Sequence, residues 1–158
     1  MHMIFTCLAR LEDATYQLYE ALFDKTEQKQ IRLLLGKIML ETRNHKEILE
    51  QLSRDYERTL ETTTTCEEEM GELYAKAMES TRSMKQDVQA GMPLLEALRI
   101  LVQHEDAVGE EYITQVHARI KALGESDRVV KRLLEDIAAE EKTHSEDLRL
   151  AIEIASQS

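Results

Sequence analysis

Five residues of this chain carry oxygen or nitrogen donors at positions that a helix would turn inward. Glu12 stands between Leu8 and Thr15, His45 between Ile38 and Leu49, and Glu105 between Val102 and Val108. Glu141 and His144 stand between Ile137 and Leu148. Spacings of three and four place each on the same face as its apolar neighbours. A carboxylate taken into a core costs several kcal/mol unless an opposite charge meets it. No stripe offers an inward lysine or arginine at matching depth. Three unopposed carboxylates would overwhelm a fold stable by only ~5–15 kcal/mol. Cations held between the helices resolve the conflict. Carboxylate oxygen and imidazole nitrogen suit iron or manganese, with zinc a further candidate.

Glu141-x-x-His144 is the sharpest piece, because an i, i+3 pair sends both side chains into a bundle one turn apart. An internal echo accompanies it. Glu12 is followed seven residues later by Tyr19, and Glu105 by Tyr112. Each half then continues into a second helix with an inward histidine, the pattern a duplicated helix hairpin would leave. Tyr19 and Tyr112 read as packing residues with a polar tip. In the functional version each hydroxyl bonds a nearby ligand carboxylate. His104 flanks Glu105 about 100° around the helix, and His117 reads as a surface residue.

The elements that must position these groups follow from apolar periodicity. A first helix runs from about Ile4 to Phe23, and a second from about Lys29 to Leu60. Thr62 to Thr65 mark a break, and Glu67 to Glu69 suit the first turn of a helix. Met70, Leu73, Tyr74, Ala77, Met78, Thr81, Met84 and Val88 form a weaker, methionine-rich stripe. That stretch is either a helix on the long connection or a solvated one against a partner. Gly91-Met92-Pro93 ends one helix and opens the next. The stripe from Leu94 to Leu123 stops at Gly124, and Ser126 or Asp127 caps the last helix. The pattern predicts an all-α fold, a four-helix bundle with one long crossover carrying an extra helix. Residues 1–158 read as a single domain.

Composition agrees. One proline, five glycines, no tryptophan and 4% aromatic residues favour helix over sheet. A formal charge of −11 argues against nucleic acid or an anionic membrane as the main partner. No apolar run approaches the ~18 residues of a membrane span, so the expected location is cytoplasmic. Cys7 and Cys66 give no paired C-x-x-C motif and read as reduced, unpaired thiols.

Four segments carry a family resemblance: Arg10-Leu-Glu-Asp-Ala-Thr-Tyr-Gln-Leu-Tyr19, Leu40-Glu-Thr-Arg-Asn-His-Lys-Glu-Ile-Leu49, His104-Glu-Asp-Ala-Val-Gly-Glu-Glu-Tyr112 and Glu140-Glu-Lys-Thr-His144. In these the chain resembles the rubrerythrin-type branch of the ferritin-like superfamily, over nearly all its length except the middle helix. The resemblance implies a ferritin-like bundle and a di-iron site. Its metal ligands would be Glu12, His45, Glu105, Glu141 and His144. It also implies a redox protein that reduces peroxide or dioxygen with electrons from a separate donor protein, since no rubredoxin module follows. A homodimer is expected from the resemblance and from the spare apolar surface of the middle helix.

One departure is serious. The family pattern places E-x-x-H on both the second and fourth helices, and here Thr42 occupies the glutamate position three before His45. Glu41 either swings in as a substitute ligand or remains a solvated flank residue. Two iron ions would then be held unequally. A ferroxidase or iron-handling role is the nearest rival reading, and a metal-poor scaffold or interaction module is the alternative from another class.

Overall fold

The computed structural model describes residues 3–57, 64–106 and 127–157. Among these residues every regular element is an α-helix. The helices are α1 (Ile4–Lys25), α2 (Lys29–Tyr56), α3 (Cys66–Met70), α4 (Glu72–Gln89), α5 over 94–106 and α6 (Arg128–Ser156). None is long and apolar enough to cross a membrane. Tyr112, His117 and the expected stripe from Val108 to Leu123 lie outside the described residues.

Only three residues separate α1 from α2, so the two long helices fold back on each other. The turn is held from both sides. Thr26 Oγ1 donates to the Leu22 carbonyl at 2.6 Å, and Arg32 Nη1 donates to the carbonyls of Phe23 and Thr26 at 3.0 and 3.2 Å. A cation on the last carbonyls of α1 also opposes the negative end of its dipole. The Arg32 guanidinium stacks 3.9 Å from the centre of the Phe23 ring. Gly36 lets that ring in, because a Cβ there would stand 3.2 Å from it.

The expected methionine-rich stripe is two helices. Thr65 opens α3 with a capping box, its side chain accepting from Glu68 N–H while Glu68 accepts from Thr65 N–H. Gly71, at φ 88°, then breaks the path before α4. That left-handed backbone is open to glycine and strained for other residues. Met70, Tyr74, Ala77, Met78, Thr81, Met84 and Val88 are buried as the stripe requires, and Leu73 is exposed. α4 packs along α1, while α6 packs along α2. Asp127 caps α6, accepting from the N–H groups of Val129 and Val130 at 3.1 Å. α2 ends at Tyr56 rather than near Leu60, and Tyr56 is exposed.

Cys7 and Cys66 are not free thiols. They form a disulfide across 59 residues of sequence, with Cα atoms 5.5 Å apart. α3 folds back onto α1 and brings together two cysteines that no local pattern relates. Such a cross-link is rare in a reducing cytosol.

The buried apolar residues fall into two clusters. One gathers Leu8, Leu11, Leu49, Leu52, Tyr74, Met78, Leu134 and Ile137. The other gathers Leu18, Leu22, Ile31, Leu35, Ile38, Leu98, Leu101 and Leu148. In α1, α2 and α6 alike, the chain passes from one cluster to the other through a short polar stretch. Those stretches hold Glu12, then Thr42 and His45, then Glu141 and His144.

Candidate metal centre

The polar band between the clusters converges. Single donor atoms of Glu12, His45 and Glu141 lie within 4.8 Å of one another, and so do those of Glu105, Glu141 and His144. All five residues expected inward therefore meet, on α1, α2, α5 and α6. Glu141 belongs to both groups, so the two threes share one carboxylate. Glu12 is 5% exposed, and His45 and His144 are 1% exposed each.

The imidazoles have distinct ends. Nδ1 of His45 lies 2.9 Å from Glu141 Oε1 and 4.0 Å from Glu12 Oε2. Nδ1 of His144 faces Glu141 Oε2 at 3.5 Å as an ion pair and has no hydrogen-bond partner among the described residues. The Nε2 ends point the other way. His45 Nε2 meets Glu140 at 2.7 Å, and His144 Nε2 meets Glu41 at 2.9 Å. A hydrogen bond from one ring nitrogen to a carboxylate leaves the other as a lone-pair donor and fixes the ring plane. Nδ1 of His144 is thus the ring nitrogen left open to a cation, whereas Nδ1 of His45 faces the centre but is held by Glu141. The rings lie nearly parallel, with centroids 6.0 Å apart.

Glu41 stands outside both ligand groups. It neither fills the place of a glutamate at 42 nor lies free on the flank: it bonds His144 on one side and pairs with Lys37 at 3.2 Å on the other. Glu140 plays the matching part for His45, and sequence reasoning passed it over. The signal was present, since Glu41 and Glu140 each precede a histidine by four residues. Tyr19 is fully buried, and its hydroxyl donates to Glu105 Oε1 at 2.7 Å. His104 turns away from the centre toward α4, where it meets Ser80 at 3.1 Å and Thr81 at 3.4 Å.

Crowding sets the protonation. Burial pushes Glu105 up, and the Glu141 charge pushes it further, to about 7. Burial would raise Glu141 too, but His144 and then His45 hold it down at about 2. His144 is disfavoured as a cation by burial, yet contact with Glu141, then Glu105 and Glu41, lifts it to about 9. Burial lowers His45, but Glu141 and Glu140 more than offset this, leaving it raised. Burial, and then Glu105, raises the Tyr19 hydroxyl, so it stays a donor. Without a cation, His144 carries its proton up to about pH 9 and Glu105 carries one below about pH 7.

These positions fit a divalent cation. Among the described residues, Nδ1 of His144 is a buried nitrogen with no hydrogen-bond partner, and each group supplies carboxylate oxygens and one imidazole nitrogen. Oxygen and nitrogen donors without thiolate suit iron, manganese or zinc.

Metal must displace those protons, so binding should tighten as pH rises. Each displaced proton changes apparent affinity about tenfold per pH unit below its pKa. For Glu105 the window closes near 7, and for His144 near 9. The stability of the metal-free protein runs the other way. His144 contributes fully below its ordinary value of 6.5, and the contribution is lost as pH rises through about 9. Glu105 adds a penalty that grows from 4.5 to about 7. Glu141 contributes above 4.5 and is lost as pH falls through about 2. The expected result is a gap in melting temperature, with and without metal, that widens from pH 6 to 9. Proton release on metal addition should accompany it. A gap independent of pH would contradict the assigned proton positions.

Comparison of the chain with protein-family models, with curated proteins and with solved structures finds no match.

Proposed function

We propose that this protein is a dinuclear metal carboxylate protein of ferritin-like, rubrerythrin type, with iron as its metal and peroxide or dioxygen as its oxidant. The observation that carries the reading is the pair of ligand groups, Glu12–His45–Glu141 and Glu105–His144–Glu141, joined by one shared carboxylate. A shared carboxylate between two histidine-bearing groups is the arrangement that places two ions side by side.

Iron bound there would supply the redox chemistry, passing electrons to peroxide or dioxygen. The protein's own residues hold the geometry. Glu140 and Glu41 turn Nδ1 of each imidazole toward Glu141. Tyr19 steadies Glu105. Leucines and isoleucines above and below limit water. Reduction of one hydrogen peroxide to two waters takes two electrons and two protons. In this proposal a separate donor protein supplies the electrons.

A second reading has its own observation. Glu140, His45, Glu141, His144 and Glu41 form a continuous chain of carboxylate–imidazole pairs that satisfies much of the site's charge without metal. In that reading the bundle is a metal-poor scaffold. Metal counting decides between them. Purified protein incubated anaerobically with excess ferrous iron and desalted should retain iron in the dinuclear reading. It should then consume peroxide in the presence of a chemical reductant. No retained iron would favour the scaffold. Retained iron with inert peroxide would favour iron handling.

A further inference from the structure

The pairing of α2 with α6 is reciprocal. Glu41 of α2 bonds His144 of α6, and Glu140 of α6 bonds His45 of α2. In each helix the bonding glutamate precedes the histidine by four residues. Exchanging the two helices therefore maps Glu41 onto Glu140 and His45 onto His144. The same exchange maps Glu141, the shared carboxylate, onto Thr42, each three residues before its histidine. Thr42 is 0% exposed, and its Oγ1 has no hydrogen-bond partner among the described residues. A threonine within a helix can bond back to the carbonyl four residues earlier, as Thr81 does to Ala77 at 2.7 Å. Thr42 does not make that bond.

We infer that the Thr42 position is a binding slot for a small external carboxylate, of formate or acetate size, which takes the place of a second shared glutamate. This rests on the dinuclear reading above. Charge within the two ligand groups is consistent with it. Two divalent ions bring four positive charges against three negative ones from Glu12, Glu105 and Glu141, while Glu41 and Glu140 lie one imidazole further out and Lys37 already pairs with Glu41. A monoanion at position 42 would even the count among the groups that touch the ions. Side-chain length is consistent with it, because threonine ends at the γ position and lacks the carboxylate that a glutamate carries beyond it. The buried Oγ1–H supplies a donor for the anion's oxygen, which no group among the described residues accepts. Glu41 cannot serve instead, since His144 and Lys37 already engage it.

The coupling is reciprocal: an anion that tightens metal must itself bind more tightly when metal is present. The test uses formate, with chloride at matched ionic strength as the control, and manganous ion titrated calorimetrically at constant pH. In the natural chain, formate should tighten the weaker ion about tenfold or more, within the usual range for coupled sites. Formate itself should bind only to metal-loaded protein. Thr42→Glu should hold two ions without formate and lose the formate effect. Thr42→Val keeps the shape and removes the hydroxyl, and should weaken formate binding without changing metal affinity in chloride. The inference is overturned if the natural chain binds manganese but is indifferent to formate, or if formate acts equally on Thr42→Glu. Failure of the natural chain to bind manganese or ferrous iron at all is a separate result. It would remove the dinuclear reading and this slot with it.

Discussion

If the centre holds two metal ions as proposed, replacing Glu141 with glutamine should abolish the binding of both, whereas replacing Glu12 or Glu105 should abolish one. The asymmetry follows from the shared carboxylate. Glu12→Gln leaves Glu105, Glu141 and His144 intact, and Glu105→Gln leaves Glu12, His45 and Glu141. Glu141→Gln removes the charged oxygen from both groups and leaves each with one carboxylate and one imidazole. Loss of an outer hydrogen-bonding partner alone costs a metal site about 10–100-fold in affinity. Loss of a carboxylate that both groups would share should exceed that at both positions. Glutamine preserves side-chain volume, so the variant should still fold. A divalent ion present at 100 times its dissociation constant stabilises the native state by about 2.7 kcal/mol. The stabilisation by metal expected for the natural chain should therefore vanish in Glu141→Gln and fall by about half in Glu12→Gln. Metal analysis per chain, with melting curves before and after loading, checks both. If Glu141→Gln keeps one ion, the two groups do not depend on a common carboxylate.

Reduction of the Cys7–Cys66 bond should produce the largest loss of stability. The disulfide closes a loop of 59 residues. Restoring that freedom to the unfolded chain corresponds to about 4 kcal/mol in the loop-entropy treatment. For a domain of this size the melting point should drop by roughly 10 °C. α3 has five residues and depends on its contacts with α1 and α4, so its capping box cannot hold it in place alone. The measurement compares melting of oxidised and reduced protein, with Cys66→Ala as the control on which reductant should have no effect. Equal midpoints for the oxidised and reduced natural chain would show that the cross-link does not constrain the unfolded state. Both sulfurs are buried, so reduction should be slow under native conditions and speed up when α3 is loosened by mild denaturant.

These outcomes separate two kinds of information in the chain. Periodicity alone marked the inward faces. Leu8, Leu18, Ile38, Leu49, Ile137 and Leu148 recur at helical spacing, and the polar residues among them share their register. That is why Glu12, His45, Glu105, Glu141 and His144 could be named as a set. Local punctuation was equally legible: Asp127 caps its helix through its own side chain, and Gly91 with Pro93 separates α4 from α5. Both depend only on neighbours a few residues away.

What the pattern leaves open is decided across helices. Whether Glu41 stands in for the glutamate missing at 42 depends on how α2 rotates against α6, and the packing turns it onto His144 Nε2 instead. Glu140 drew no role from the sequence, because helical spacing ranks it beside Glu141 and gives no sign that it meets His45 on another helix. Cys7 and Cys66 pair because α3 returns to α1, a long-range closure with no trace in either cysteine's surroundings. The sharing of Glu141 between two groups is of the same kind. Helical spacing determines the direction of a side chain to within part of a turn. Which atoms then come within bonding distance is set by the rotation and register of packed helices, and those are properties of the folded chain as a whole.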